Sequence, residues 1–245
     1  MKRSFLAALA TIALAACSSS SSPSTQPTTT PPVDTGTKPV DDAVVDETPL
    51  TPAAYPDGPY GIVKGNVIEN HTWKGYRDAS GDWTDVSMAD YFDPDGSKGI
   101  YAIYVVVSAQ WCVPCQQEAK LLPRMYDAYK ARGARFLSAM LQKSNGDPAE
   151  QLTVDAWIKA FKINFDIVAA PTPVSGSPGM SQSELVPKSW AIPRNYVINP
   201  RDMKIVYVIT AALDPAATDI KALDNVLDAL GAPGTSPAPG DAGGD

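Results

Sequence analysis

Cys112 and Cys115 are the residues whose spacing could support chemistry directly, because a dithiol of this kind opens and closes as a disulfide. One thiolate attacks a disulfide in another molecule, and a second thiol one helical turn later displaces the product. Apolar residues 100–107 precede the pair and a helical pattern follows it, so we predict Cys112 at a helix N-terminus. Unpaired N–H groups and the helix dipole favour a thiolate there. We therefore expect an exposed attacking thiol at Cys112 and a less exposed resolving thiol at Cys115.

Simpler explanations of the cysteine pair remain open at this stage. A structural disulfide would close a loop of only four residues, for which loop entropy gives little stabilisation. A zinc site would need two more ligands, and the sequence offers only His71 and Cys17, so we predict no metal. A chance pair is the third alternative, although a position directly after an apolar strand is specific.

The elements around the pair alternate between strand and helix patterns. Residues 100–107 predict a central strand buried on both faces, since they lack polar alternation. A helix is predicted over residues 113–132, with Gly133 as its C-terminal cap, and a second strand over 135–141. Asp147 and Pro148 have the types expected of an N-cap and a first helical residue, so we predict that the next helix starts there.

Later segments complete an α/β pattern. Strands are predicted over residues 165–169, 195–198 and 204–210, the last two as a hairpin, with a final helix from Asp214-Pro215 to 230. A further hairpin is predicted between residues 60 and 92, where Ser80-Gly81-Asp82 are turn signals. This order predicts a central mixed β-sheet flanked by helices, parallel at its centre with an antiparallel edge.

The N-terminus resembles a bacterial lipoprotein signal. Lys2 and Arg3 precede an apolar stretch, residues 5–14, that is too short to span a membrane as a mature helix, and Cys17 follows it. In such signals cleavage precedes the cysteine, whose thiol takes a diacylglycerol. An ordinary secretory signal is the alternative. We expect an extracytoplasmic protein, lipid-anchored to a bacterial membrane on the periplasmic side or at the cell surface, with Cys17 removed from redox chemistry.

Composition divides the whole chain into four segments. Residues 1–16 are the predicted signal peptide, and 17–59 combine the lipidated cysteine with a disordered Ser/Thr/Pro-rich tether. Residues 60–230 can bury one core, and 231–245 are a predicted disordered tail. The net charge of −7 argues against a nucleic-acid partner, and we expect a monomer.

The stretch Trp111-Cys112-Val113-Pro114-Cys115 resembles the active-site motif of the thioredoxin superfamily, more specifically its membrane-anchored periplasmic reductases of the TlpA/ResA type. That branch commonly carries a glutamate three residues after the second cysteine, as Glu118 here. Cytosolic thioredoxins instead carry an aspartate at the position of Val106. The resemblance implies a thioredoxin-like fold with an N-terminal hairpin extension and a helix–strand insertion over residues 148–169. It also implies that Glu118 accepts or relays the proton of Cys115; a solvated helix residue is the alternative.

The superfamily also has a cis-proline facing the cysteines, and Ile192-Pro193 matches it. The resemblance implies a substrate-binding wall made by Trp111, Ile192 and Pro193, in which Ile192 offers its backbone to an extended substrate. A trans proline that starts an edge strand is the alternative.

The sequence departs from the family pattern at two places. Lys120 occupies the position of a proline common in the family, with Pro123 later. Residues 171–188 form a long polar segment, either a flap beside the site or a surface insertion.

The resemblance therefore predicts a thiol–disulfide oxidoreductase that needs no cofactor beyond the Cys112–Cys115 disulfide. It implies reduction of disulfides in exported proteins, with apocytochrome c as one candidate, and an upstream membrane electron donor. The direction of electron flow does not follow from sequence. Two alternatives stay open: a non-catalytic binding module on the same scaffold and a peroxiredoxin-like peroxidase. The second is disfavoured, since Ala109 and Val105 occupy the positions of a peroxiredoxin's threonine and proline.

Overall fold

One mixed sheet of seven strands organises the computed structural model, which describes residues 53–170, 185–186, 191–211 and 218–235. The strands are β1 (Thr72–Arg77), β2 (Ser80–Ser87), β3 (Ala102–Ser108), β4 (Ala134–Met140), β5 (Asp166–Ala169), β6 (Arg194–Ile198) and β7 (Ile205–Ile209). The helices are α1 (Val113–Ala119), α2 (Leu122–Tyr129), α3 (Gln151–Phe161) and α4 (Thr218–Ala229), with short 3₁₀ helices at Met88–Tyr91 and Lys130–Arg132.

The strand order is β2-β1-β5-β4-β3-β6-β7. Strands β3, β4 and β5 are parallel, whereas β6 pairs antiparallel with β3, and β1 pairs antiparallel with β5. The predicted parallel centre is confirmed, and both edges of the sheet are antiparallel hairpins.

Strand β3 is the middle of the core, as its unbroken apolar sequence predicts. All seven of its residues are buried, and they alternate between the two faces of the sheet. Tyr104 and Val106 face a cluster to which each of the four helices contributes buried residues. Val105 and Val107 face a second cluster, which is closed by the N-terminal segment, the first 3₁₀ helix and buried Met203.

The prediction of a single helix over residues 113–132 is wrong, because this segment forms two helices. Helix α1 ends at Ala119 and α2 begins at Leu122. Pro123 lies in the first turn of α2, where its missing N–H costs nothing, but a continuous helix would set its ring against the carbonyl of Ala119. Gly133 does end the segment, with a φ of 83° that favours glycine.

The predicted start of the second helix is also wrong. Helix α3 begins at Gln151, and Glu150 is its N-cap in a capping box with Thr153. The segment containing Asp147 and Pro148 instead pairs with the chain that leaves β4. Ala149 N–H donates to the carbonyl of Leu141 at 2.9 Å, and Lys143 N–H donates to that of Asp147 at 2.8 Å. Backbone pairing with a distant strand end has overridden a local capping preference.

The N-terminal hairpin exists, but its turn differs from the predicted one. Asp78 and Ala79 form a two-residue turn with φ values of 48° and 52°, whereas Ser80-Gly81-Asp82 already belong to β2. Such left-handed pairs match the twist of hairpin strands. Because β1 also pairs with β5, the hairpin extends the central sheet.

The folded segment begins earlier than residue 60. The hydroxyl of Tyr55 donates to the carbonyl of Ile68 at 2.7 Å, and its ring packs edge-on against Phe92 with centroids 5.7 Å apart. Tyr55, which was predicted to belong to the tether, therefore packs against the domain. The predicted signal peptide, the start of the last helix at Asp214-Pro215 and most of the 171–188 segment lie outside the described residues.

Candidate active site

Cys112 and Cys115 form a disulfide with an S–S distance of 2.04 Å and a Cα–Cα distance of 5.2 Å. Strand β3 ends at Ser108, and Cys112 is the N-cap of α1. Its Sγ accepts a hydrogen bond from the N–H of Cys115 at 3.2 Å. An N–H at a helix start is otherwise unpaired, so it can stabilise negative charge on this sulfur when the disulfide opens.

Both cysteines are buried, so the predicted exposure of Cys112 is wrong for the disulfide form. Cys112 is 3% exposed and Cys115 is fully buried. The carbonyl oxygen of Ile192 lies 3.7 Å from Sγ of Cys112 and covers that sulfur from the side of β6. Two exposed side chains beside the disulfide are apolar: Trp111 is 39% exposed and Val113 is 60% exposed. Apolar surface is therefore accessible next to the disulfide.

Strand pairing brings Ile192 and Pro193 to the cysteines. Arg194 lies opposite Val107 in the β3–β6 register, so the residues just before it lie beside the end of β3, from which the cysteine loop leaves. The peptide bond between Ile192 and Pro193 is cis. Pro193 is buried, and the side chain of Ile192 is partly buried against the core.

Trp111 is held by a residue that the sequence analysis did not identify. Its indole Nε1–H donates to Oε1 of Gln142 at 3.0 Å. Gln142 lies just after β4, and neighbouring parallel strands end at the same edge of a sheet. A glutamine immediately after the apolar strand at 135–141 was therefore a usable signal. The neighbouring Gln110 also joins the two loops, because its Oε1 accepts from the N–H of Ser144 at 3.0 Å.

Glu118 is buried with 1% exposure, so the alternative interpretation of this residue as a solvated helix residue is wrong. It lies three residues after Cys115 in α1, a spacing that places two side chains on one helix face. Its Oε1 accepts a hydrogen bond from Nδ2 of Asn195 at 2.5 Å. The structure thus puts a carboxyl group into the interior on the same side of α1 as Cys115.

Asn195 was also missed in the sequence. It is fully buried in β6, two residues after Pro193, and pairs with Val106 of β3. A polar residue directly before the apolar stretch Tyr196-Val197-Ile198 was the available signal, but its partner is 77 residues away in the chain. Only the sheet brings the two side chains together.

The opposite face of β6 is fixed by Tyr196. Its hydroxyl donates to the carbonyl of Leu185 at 2.5 Å and accepts from Nε of Arg194 at 2.7 Å. Burial raises the pKa of Tyr196 to about 12, although the neighbouring Arg194 opposes the shift. The hydroxyl therefore remains a donor at neutral pH. Leu185 and Val186, from the predicted polar segment, are buried in the core on this face.

The residues that the structure describes contain neither a metal-binding cluster nor a membrane-spanning helix. No group of three or more His, Cys, Asp or Glu side chains there is arranged to hold a metal ion. Across the same residues, no helix has both the length and the apolar character needed to cross a membrane.

Comparison with protein families decides where the chain belongs. The profile of the AhpC/TSA family matches residues 69–208, which include both cysteines, Glu118 and Pro193. The chain belongs to the AhpC/TSA family. This membership and the observed topology together give a thioredoxin-like fold, with the mixed central sheet and flanking helices expected from the sequence.

The N-terminus of this AhpC/TSA protein matches a second profile. A prokaryotic membrane lipoprotein lipid attachment site covers residues 1–18 and includes Cys17. The chain is therefore a lipid-anchored membrane lipoprotein.

Solved structures resemble the chain at low identity. One is the thioredoxin domain of a thiol-disulfide oxidoreductase from Bacteroides vulgatus, at 15% identity and a TM-score of 0.46, covering 69% of this chain and 98% of that one. Another is a secreted thiol-disulfide isomerase from Corynebacterium glutamicum, at 15% identity and a TM-score of 0.49, covering 68% and 86%. A third is a reduced 2-Cys peroxiredoxin from Plasmodium vivax, at 13% identity and a TM-score of 0.48, covering 69% and 81%.

Comparison with curated protein sequences gives no significant match. The structures just described carry names for two different chemistries.

Proposed function

We propose that this lipoprotein is a thiol–disulfide oxidoreductase of the TlpA/ResA type that reduces disulfides in exported proteins. The observation that carries the proposal is the Cys112–Cys115 disulfide at the start of α1, with the N–H of Cys115 directed at Sγ of Cys112. A disulfide of this short span adds little to stability, so its position at a helix start beside an apolar surface favours a redox role.

The reaction begins from the dithiol form. The thiolate of Cys112 attacks one sulfur of the substrate disulfide, that S–S bond breaks, and the substrate's other sulfur leaves as a thiolate that takes up a proton. Cys115 then loses its proton and attacks Sγ of Cys112 in the mixed disulfide. The bond between Cys112 and the substrate breaks, the Cys112–Cys115 bond forms, and the substrate is released with two thiols. A dithiol donor at the membrane reduces the protein again.

Glu118 is the proposed acceptor of the Cys115 proton. The carboxyl group and the thiol lie three residues apart on one short helix, and both residues are buried. Bulk water has little access to a thiol in such a place, so an internal base is needed to form the attacking thiolate at a useful rate.

The proposed substrate is an extended polypeptide segment that contains a disulfide. Trp111 and Val113 present apolar surface next to the cysteines, and Gln142 holds the Trp111 indole in place. Ile192 and Pro193 are the proposed facing wall, where the backbone of Ile192 would pair with an extended chain once that chain displaces the contact with Cys112. Apocytochrome c is one exported candidate of this kind. The lipid anchor would keep the domain on the extracytoplasmic side of the membrane, beside such substrates and their electron donor.

Insulin reduction by dithiothreitol tests the activity. The wild-type protein should accelerate it, and Cys112→Ser should abolish the acceleration, because no attacking sulfur remains. Leu152→Ala, at an exposed position on α3, is the matched control and should behave as wild type. A wild-type protein that does not accelerate the reaction would leave a non-catalytic binding module as the better explanation.

Substrates can be identified with Cys115→Ser, which cannot resolve the mixed disulfide. Expressed in the native host, this variant should hold exported proteins covalently on Cys112, and the proteins recovered should be released by reductant. Recovery of a cytochrome precursor alone would indicate a dedicated pathway, whereas many exported proteins would indicate a general reductase.

Family membership makes peroxide reduction the second candidate. The buried residue at position 109 is alanine, which offers no hydroxyl to a peroxide at Cys112. We expect consumption of hydrogen peroxide to be slow compared with disulfide reduction, which parallel rate measurements on one preparation would check.

A further inference from the structure

We infer that Asn195 is a positioning residue for the resolving step: its side-chain amide holds Glu118 so that the carboxyl group can take the proton of Cys115. The inference rests on the proposed disulfide exchange and deepens it. It also joins the wall that would receive the substrate to the group that would complete the reaction, because Asn195 follows Pro193 by two residues.

The contact is direct and buried. Nδ2 of Asn195 donates to Oε1 of Glu118 at 2.5 Å, and both side chains are excluded from solvent. Asn195 is fixed within the sheet, because β6 pairs with β3 on one side and with β7 on the other. Glu118 belongs to a helix of only seven residues, and the hydrogen bond from Asn195 links its carboxyl group to the sheet.

A neutral amide suits a carboxyl group that must change its charge. An ionised carboxylate accepts from the amide N–H through Oε1. When the carboxyl group is protonated on Oε2, Oε1 is the carbonyl oxygen and still accepts the same bond. The Asn195 contact can therefore persist through the proton transfer.

The step conserves atoms and charge. The S–H bond of Cys115 breaks and an O–H bond forms on Glu118, which becomes neutral while Cys115 becomes a thiolate. That thiolate attacks Sγ of Cys112 and expels the substrate thiolate, and Glu118 then returns its proton to the departing sulfur or to solvent. Asn195 contributes no electrons and no proton, so its removal should affect only the step that needs Glu118.

Single-turnover kinetics separate the two steps. The probe is oxidised glutathione mixed with fully reduced protein. Attack by Cys112 is measured in the Cys115→Ser background as formation of the mixed disulfide, and resolution is measured in the intact dithiol protein as its decay. Asn195→Leu, which keeps comparable volume without the amide, should slow resolution about tenfold and leave attack within about twofold.

Further variants guard against a merely structural effect. Asn195→Asp keeps the shape but replaces the donor, so it should slow resolution as well and remains informative if the leucine variant does not fold. Val197→Ala removes buried volume from the same strand and face without touching Glu118, and should lower stability while leaving both rates near wild type.

A double-mutant comparison decides the mechanism. In a Glu118→Gln background, Asn195→Leu should produce no further slowing, because its effect passes through that carboxyl group. Equal slowing of attack and resolution, undiminished slowing in the Glu118→Gln background, or unchanged resolution would each overturn the inference. If wild-type protein forms no mixed disulfide at all, the proposed function itself fails, an outcome distinct from all three.

Discussion

Among the residues that the structure describes, two carboxyl side chains are buried, Asp93 and Glu118, and they lie at opposite ends of β6. Asp93 ties the loop after the first 3₁₀ helix to the β6–β7 turn. Its oxygens accept from the guanidinium of Arg201 at 2.9 Å and from the N–H groups of Lys98 and Ile100 at 3.0 and 2.9 Å. Glu118 accepts from the neutral amide of Asn195 beside the cis-proline.

The partners determine what each carboxyl group can do. Burial by itself would raise the pKa of Asp93, but the two N–H donors and Arg201 lower it below its ordinary value. Asp93 is thereby held as an anion and serves the fold. The amide of Asn195 can donate to a carboxyl group in either protonation state, which is compatible with the proton exchange proposed for Glu118.

Removing the Asp93 carboxylate should give the largest loss of stability. Asp93→Ala leaves Arg201 without its buried partner and two N–H groups without acceptors, so we expect the free energy of unfolding to fall by about 3–5 kcal/mol. Urea denaturation measures this. Disulfide exchange per folded molecule should not change, since the active site is at the other end of the strand, about 17 Å away. A loss of exchange activity in the folded variant would break the distinction between the two carboxyl groups.

Replacing Glu118 should slow disulfide exchange and leave stability unchanged, the reverse of the result expected for Asp93. Glu118→Gln keeps the size of the side chain but cannot accept the Cys115 proton, so we expect resolution of the mixed disulfide to slow about 100-fold. Attack by Cys112 should remain near the wild-type rate, as should urea stability. Rapid-quench separation of the mixed disulfide measures the rate. Resolution at the wild-type rate would show that Cys115 loses its proton by another route.

The dependence of the Asp93 contribution on pH is the smallest of the three expected effects. Because its folded-state pKa is lowered, Asp93 contributes its full stabilisation above the unfolded-state value of about 3.9 and loses it as the pH falls through the folded value. The difference in unfolding free energy between wild type and Asp93→Asn should therefore shrink as the pH falls below about 4. A difference that stays constant down to pH 2 would contradict the assignment.

The fold could be predicted where local pattern and tertiary environment agree. The apolar run that became β3 specified a strand buried on both faces, and the apolar pattern around Asn199-Pro200 specified the terminal hairpin. Prediction failed for two different reasons. At Pro148 a distant backbone competed with a local preference, so this residue lies beside a strand end rather than at a helix start. At Pro123 a local signal was not given enough weight, and this residue divides a helix that its neighbours would otherwise continue.

In the candidate site, too, some features could be predicted from local sequence and others depend on tertiary structure. Sequence by itself determined that a dithiol pair sits between a buried strand and a helix, since both patterns are local and adjacent to Cys112. Tertiary structure alone decided that the disulfide is buried under the Ile192 carbonyl, that Gln142 holds Trp111, and that Asn195 meets Glu118. Each of these contacts joins residues at least 31 positions apart. Local propensity carries no information about such pairs, because strand register in the assembled sheet determines which side chains meet.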